Sequence, residues 1–220
     1  MHGRLLLVLI GSGLLAATVQ AESAGPDGCY SEASVSCPGM RVCICPRNDF
    51  EFIRDACDGG YIEVWVRDPR TGEAIPEVPW TDYWINACDP ALELCLCVQS
   101  VVADSLTSGL PGFEGRTTIS GRIAGGGCVL TGGLWIAVQG LVLTEGDYCE
   151  EVLCLDIVIV SPDINGDCSV SLSDFQLFCQ SYNKSEGMPD YNGCCDFTDD
   201  GECSLADFAF FAQHYNHQCW

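Results

Sequence analysis

The sequence predicts a mostly β, antiparallel sandwich over residues 29–160, followed over 161–220 by a small α module built from a pair of loop–helix units. Three observations carry this expectation. Residues 29–160 hold short β-rich runs separated by turn residues, with no long amphipathic helical pattern between them. Near the C-terminus one pattern occurs twice, 33 residues apart: Leu172, Phe175, Phe178, Gln180, Tyr182 and Asn183 match Leu205, Phe208, Phe211, Gln213, Tyr215 and Asn216. Seventeen cysteines are spread over both parts, eleven in 29–154 and six in 168–219. That count argues for disulfides and an oxidising compartment, and its odd total leaves one thiol unpaired or bonded to another molecule.

Taken in order, residues 1–21 have the features of a secretory leader. Arg4 supplies the positive start, residues 5–19 the apolar stretch, and Val19-Gln20-Ala21 a small-residue cleavage site. A linker over 22–28 follows. The apolar stretch is short and interrupted by glycine, and no other segment approaches 18 apolar residues, so the mature chain is expected outside the cell or at its surface, without membrane insertion. The formal charge of −22 offers no basic patch for phosphates, which excludes nucleic acid as a partner.

Within the β region, residues 61–67 alternate strictly and put Ile62, Val64 and Val66 on one face. Residues 69–72 then form a turn and 74–79 a return. Later strands are expected over 94–102, 116–123, 134–143 and 153–160, with Gly-rich breaks at 125–127 and 132–133. Trp80, Tyr83 and Trp84 cluster in 79–85; exposed, they would make a stacking platform for sugar rings, and buried, they would anchor a loop. No histidine lies between residues 3 and 213, so no Ser-His-Asp or Cys-His arrangement exists inside the β region. Acid pairs such as Glu150-Glu151 or Asp55 with Asp58 are ordinary in a chain with 31 acidic residues, and no Gly-rich phosphate loop opens a helix. Catalysis is not expected. The zinc-type donors are Cys43-x-Cys45, Cys95-x-Cys97, and His214, His217 with Cys219. CxC is not the CxxC of a zinc ribbon and secreted thiols oxidise, so these read as disulfide cysteines and as exposed histidines near a helix end.

The C-terminal repeat carries the chemistry. Asp163, Asn165, Asp167, Ser169, Ser171 and Asp174 occupy positions 1, 3, 5, 7, 9 and 12 of one loop; Asp196, Thr198, Asp200, Glu202, Ser204 and Asp207 occupy them in the next. A hard cation takes six to eight oxygens, and a tight loop delivers alternate residues to its centre, with position 7 giving a backbone carbonyl. The pattern predicts two calcium ions, one per loop. Ser171-x-x-Asp174 and Ser204-x-x-Asp207 are also capping boxes, so each loop runs into a helix. Leu172, Phe175, Cys179 and Tyr182, with Leu205, Phe208, Ala212 and Tyr215, give each helix one apolar stripe, expected to pack against the other. No helix precedes either loop: a β-branched run and Pro162 lie before the first, and Gly187, Pro189 and Gly193 before the second.

Duplicated loop–helix calcium units of this kind resemble a type I dockerin domain, over residues 161–220. The resemblance implies a cohesin-like or cell-surface protein partner, often in a polysaccharide-degrading system, with loop positions 10 and 11 (Leu172, Ser173, Leu205 and Ala206) choosing it. Two positions depart from the family: Cys168 stands where glycine is usual, and Thr198 supplies a neutral ligand. Residues 64–78 and 113–120 resemble the opening and the "Gly-x-x-Thr" strand of bacterial Ig-like and prealbumin-like domains, which implies a structural or adhesive module. The function expected is therefore calcium-dependent attachment by a secreted, non-catalytic protein. The alternatives are a calcium-stiffened adhesin-like surface protein and a carbohydrate-binding module using Trp80, Tyr83 and Trp84.

Overall fold

A computed structural model describes residues 30–37, 39–47, 53, 59–68, 70–95, 103–145 and 149–219. The leader and linker expectations, Cys97 and most of the 94–102 strand lie outside these residues. In chain order the elements are β1 (Glu32–Val35), β2 (Met40–Cys43), β3 (Ile62–Trp65), β4 (Tyr83–Ala87), β5 (Leu92–Leu94), β6 (Arg116–Ile119), β7 (Gly125–Gly127), β8 (Leu134–Val138), β9 (Leu141–Val142), β10 (Thr144–Glu145), β11 (Glu151–Val152), β12 (Ile157–Val160), α1 (Leu172–Ser181), β13 (Lys184–Ser185), β14 (Glu202–Cys203) and α2 (Leu205–His214). Among the described residues the chain is mostly β, with two short α-helices in its C-terminal part.

The alternation in 61–67 does what a half-buried strand requires. β3 pairs antiparallel with β1 on one side and β6 on the other, and Ile62, Val64 and Val66 are all fully buried. A second antiparallel sheet runs β4–β8–β9 and faces the same core through Tyr83, Ile85, Leu134 and Ile136. One pair departs from the antiparallel expectation: β12 lies parallel to β2, with Ile157 opposite Met40 and Val160 opposite Cys43. β12 is a continuous apolar run, and both strands are buried at three of their four positions, as parallel strands usually are; Arg41 is the polar exception in β2.

Three local expectations are corrected. The strand expected over 134–143 is a hairpin, turned at Gln139 and Gly140, both at positive φ (50° and 82°). Gln139 tolerates that backbone because its N–H donates to the Asp82 carbonyl (2.8 Å) and its amide to the Asp82 carboxylate (3.1 Å). The return expected over 74–79 is only a bridge between Arg67 and Ala74. The glycine break at 125–127 is β7, paired with β5 so closely that a Cβ on Gly127 would lie 1.9 Å from the Ala91 carbonyl. Glycine here is a requirement of approach.

A second core forms where the C-terminal part meets the first. Phe178, Phe211, Val170, Phe197, Cys195 and Cys203 bury together with Cys43 and Val160 of β2 and β12. The buried helix faces are Asp174, Phe178 and Ser181 in α1 and Asp207, Phe211 and His214 in α2. The stripe expected inside turns mostly outward: Leu172, Cys179, Tyr182, Leu205, Phe208, Ala212 and Tyr215 are exposed, and only Phe175 is half-buried. The position-12 carboxylate must point back into its loop, and that rotates each helix so that the residues four and seven further on face inward. Two disulfides cross between the parts, Cys95–Cys219 and Cys128–Cys194, while Cys88–Cys154 lies within the β part. Arg41 of β2 adds an ion pair to Asp199 (3.1 Å) and donates to the carbonyls of Gly193 and Asp196. The six cysteines of 168–219 are thus not an internal staple set, since two of them bond outward.

Candidate functional site

Each loop turns tightly because its own side chains replace the backbone partners that a helix or strand would give. In the first, the Asp167 N–H donates to Asp163 Oδ1 (3.1 Å) and to Asn165 Oδ1 (2.9 Å), and the Ser169 N–H to Asp167 Oδ1 (3.1 Å). In the second, the Asp200 N–H donates to Asp196 Oδ1 (3.2 Å), the Gly201 N–H to Asp196 Oδ2 (3.0 Å) and the Glu202 N–H to Asp200 Oδ1 (3.0 Å). The position-12 carboxylates close the turns. Asp174 accepts from Asn165 N (3.1 Å) and Ser171 N (2.9 Å), and Asp207 from Thr198 N (2.9 Å) and Ser204 N (2.8 Å). Both capping boxes are complete, with Ser171 and Ser204 as N-caps.

The two loops use the same pair of left-handed residues, at positions 4 and 6. These are Gly166 (71°) and Cys168 (65°) in one loop, and Asp199 (57°) and Gly201 (80°) in the other. The glycine has changed places between the copies. Cys168 therefore takes the strained backbone expected of it, at a cost of about 1–2 kcal/mol. Cys168→Gly is expected to stabilise the chain by about 1 kcal/mol in denaturant unfolding and to tighten calcium binding at the first loop only.

The expected ligands converge. One carboxylate oxygen from each of Asp163, Asp167 and Asp174 lies within 4.8 Å of the others, and the same holds for Asp196, Asp200 and Asp207. Asp163, Asp174 and Asp207 are wholly buried and Asp196 nearly so, an arrangement that carboxylates adopt at a cost unless a cation or donor compensates. Asp163 shows this most sharply: its Oδ2 is buried with no hydrogen-bond partner. Burial, then the charges of Asp174 and Asp167, push its pKa up to about 7, against the N–H donors of Asp167 and Cys168. An all-oxygen donor set around an orphaned carboxylate oxygen fits a hard divalent ion. Calcium would be held by Asp163, Asn165, Asp167, the Ser169 carbonyl and Asp174 in one loop. In the other it would be held by Asp196, Thr198, Asp200, the Glu202 carbonyl and Asp207, with Ser171 and Ser204 beside them. It would neutralise the crowded charge.

Residues outside the repeat also shape the loops. Gly126 of β7 packs against the Asp163 carboxylate, and the Gly127 N–H donates to the Asp163 carbonyl (2.6 Å). The Tyr191 hydroxyl donates to Asp196 Oδ2 (2.9 Å). None of these was legible in the loop spacing. Each loop also pairs with the chain leaving the other helix: Val170 N–H to the His217 carbonyl (2.8 Å) and Asn183 N–H to the Cys203 carbonyl (2.8 Å). The matched Asn183 and Asn216, both left-handed (59° and 68°), are the repeat's signal for this exchange.

No protein-family model matches the chain, and no curated protein matches it significantly. Solved structures that align with it include chains of two interface mutants, N-terminal and C-terminal, of the type II cohesin–X–dockerin complex from Acetivibrio cellulolyticus. They are 14% and 12% identical, each over 84% of this chain and 96% of the other, with TM-scores of 0.28. The candidate site rests on the loop geometry alone.

The remaining candidates separate cleanly. Leu172, Ser173, Leu205 and Ala206 are all exposed, Leu172 by 58% and Leu205 by 67%, and an apolar groove beside them runs along Phe175, Tyr182 and Phe208. The aromatic platform is altered. Trp80 and Trp84 are exposed, but Tyr83 is fully buried, because β4 alternates and sends it into the core. Trp135 of β8 takes its place beside Trp84 on the outer face of the sheet. The zinc-type donors also regroup. Cys95 and Cys219 are joined, whereas the Cys45 thiol lies 3.1 Å from His217 Nδ1. His214 is buried rather than exposed. Among the described residues no helix is long and apolar enough to cross a membrane.

Proposed function

We propose that this chain is a secreted, non-catalytic attachment protein: an Ig-like β-sandwich carrying a dockerin-like module that binds two calcium ions and docks a cohesin-like or cell-surface protein partner. One observation carries the reading: each convergent carboxylate set brackets an outward-facing Leu at position 10, 58% and 67% exposed, on a helix whose opposite face is buried. Calcium would tie each loop to its helix and so hold the two exposed pairs, Leu172-Ser173 and Leu205-Ala206, at a fixed separation. Exposed leucines flanked by an aromatic groove have the composition of an interface centre rather than of a solvated helix face.

Binding of the immobilised full chain to a set of purified cohesins, with calcium and with chelator, tests this. Calcium-dependent capture, lowered about 100-fold by the double substitution Leu172→Asp with Leu205→Asp, is the expected result. Capture that chelation leaves intact would refute the calcium-ordered surface. A chain that binds calcium and no cohesin would instead point to the stiffened, adhesin-like role, which the two crossing disulfides also suit.

A further inference from the structure

We propose that Cys45, His214 and His217 form a third metal site, for zinc, which clamps the end of α2 onto the β module. The three ligand atoms lie within 4.8 Å of one another and come from both parts of the chain. Cys45 Sγ is 3.1 Å from His217 Nδ1, and His214 Nδ1 is 3.4 Å from His217 Nδ1. Zinc bonds of about 2.0–2.1 Å to nitrogen and about 2.3 Å to sulfur, at tetrahedral angles, place N···N at about 3.3 Å and S···N at about 3.5 Å. Two of the three edges, at 3.1 and 3.4 Å, lie close to those of that tetrahedron, and the third lies within 4.8 Å.

The supports are rigid. Cys45 is wholly buried just after β2, where the Ile44 N–H donates to the Val160 carbonyl (2.9 Å) and the Cys45 carbonyl accepts from Gly125 (3.3 Å). His214 continues the buried face of α2 and is 6% exposed, with Phe210 packed against its ring at 5.0 Å. His217 is fixed by its backbone, its N–H to the His214 carbonyl (3.0 Å) and its carbonyl to Val170 (2.8 Å). The Cys95–Cys219 disulfide ties the same C-terminal segment to the end of β5, and Cys95 Sγ lies 3.1 Å from the carbonyl of Pro46, the residue after Cys45.

The donor chemistry selects against calcium. One thiolate and two imidazoles suit zinc and other borderline ions, while the calcium loops offer only oxygen. Binding forms a Zn–S bond and releases the Cys45 thiol proton to solvent, and the fourth position is filled from outside these three residues.

The test uses the full chain, disulfides intact and calcium-saturated, titrated with cobalt(II) and then with zinc. The expected result is one equivalent of tetrahedral cobalt with a thiolate charge-transfer band, displaced stoichiometrically by zinc. Cys45→Ser should abolish the band and weaken zinc about 100-fold, with an unchanged far-ultraviolet spectrum. Should Cys45→Ser fail to fold, His217→Gln, at a half-buried position, decides: it should weaken zinc at least about 10-fold. Zinc affinity unchanged in the folded variant, or peptide mapping that finds Cys45 in a disulfide, overturns the proposal.

Discussion

Alanine at Asp174 or Asp207 is expected to abolish calcium binding at its own loop and to loosen the helix that follows. Each carboxylate serves three structures at once: it is the position-12 ligand, it closes the loop by accepting from Asn165 or Thr198, and it completes the capping box with Ser171 or Ser204. Losing the cap costs about 1 kcal/mol, and stranding the two N–H groups costs about 1–3 kcal/mol each. Removing an anionic ligand lowers calcium affinity by about 100-fold or more. Isothermal titration should count one high-affinity ion in either single variant and none in the double. Asparagine at the same positions has one acceptor oxygen, enough for the cap but not also for the Asn165 or Thr198 N–H, so it separates the cap from the charge and the loop closure. An alanine variant that still binds two ions with native affinity would contradict the assignment.

Gly126→Ala should disable the first loop from a distance of 37 residues in sequence while sparing the second. A Cβ there would meet Asp163 Oδ2 at 1.7 Å and its Cγ at 2.4 Å, so the carboxylate must leave the place where it meets Asp167 and Asp174. The expected outcome is loss of one calcium ion and about 1–3 kcal/mol of stability in denaturant unfolding. Gly127→Ala is harsher, because the clash is with the Ala91 backbone at 1.9 Å and φ is +93°; several kcal/mol and poor expression are expected. Should Gly126→Ala bind two ions like the parent chain, the β module would have no part in shaping the loop.

Much of the candidate site could be read from spacing, because such a loop is local: its converging carboxylates, its turns and its capping box lie within twelve residues. The alternation around Val64 was equally local, and β3 follows it. What spacing could not supply was the direction of each helix. The apolar stripe from Leu172 to Tyr182 was as regular as a buried one, yet the demand that Asp174 face the loop turned Phe178 inward instead. Nor could sequence show that Gly125–Gly127 is a strand, since its reason is the backbone of Ala91 and Glu93 pressing against it. Tyr83 was grouped with Trp80 and Trp84 by composition, whereas strand alternation separates it from Trp84. Cys45 and His217, 172 residues apart, meet only because β2 lies under the end of α2.

The disulfides Cys95–Cys219 and Cys128–Cys194 hold the second module near its far end and its middle. Under the proposed docking through exposed leucines on that module, this sets the path taken by mechanical force. A tug on a bound partner reaches the β module through two covalent bridges in parallel with the peptide link after β12. The two carboxylate loops are thereby shielded from tension along the chain, and the proposed attachment would resist shear that would unzip a module joined by a linker alone.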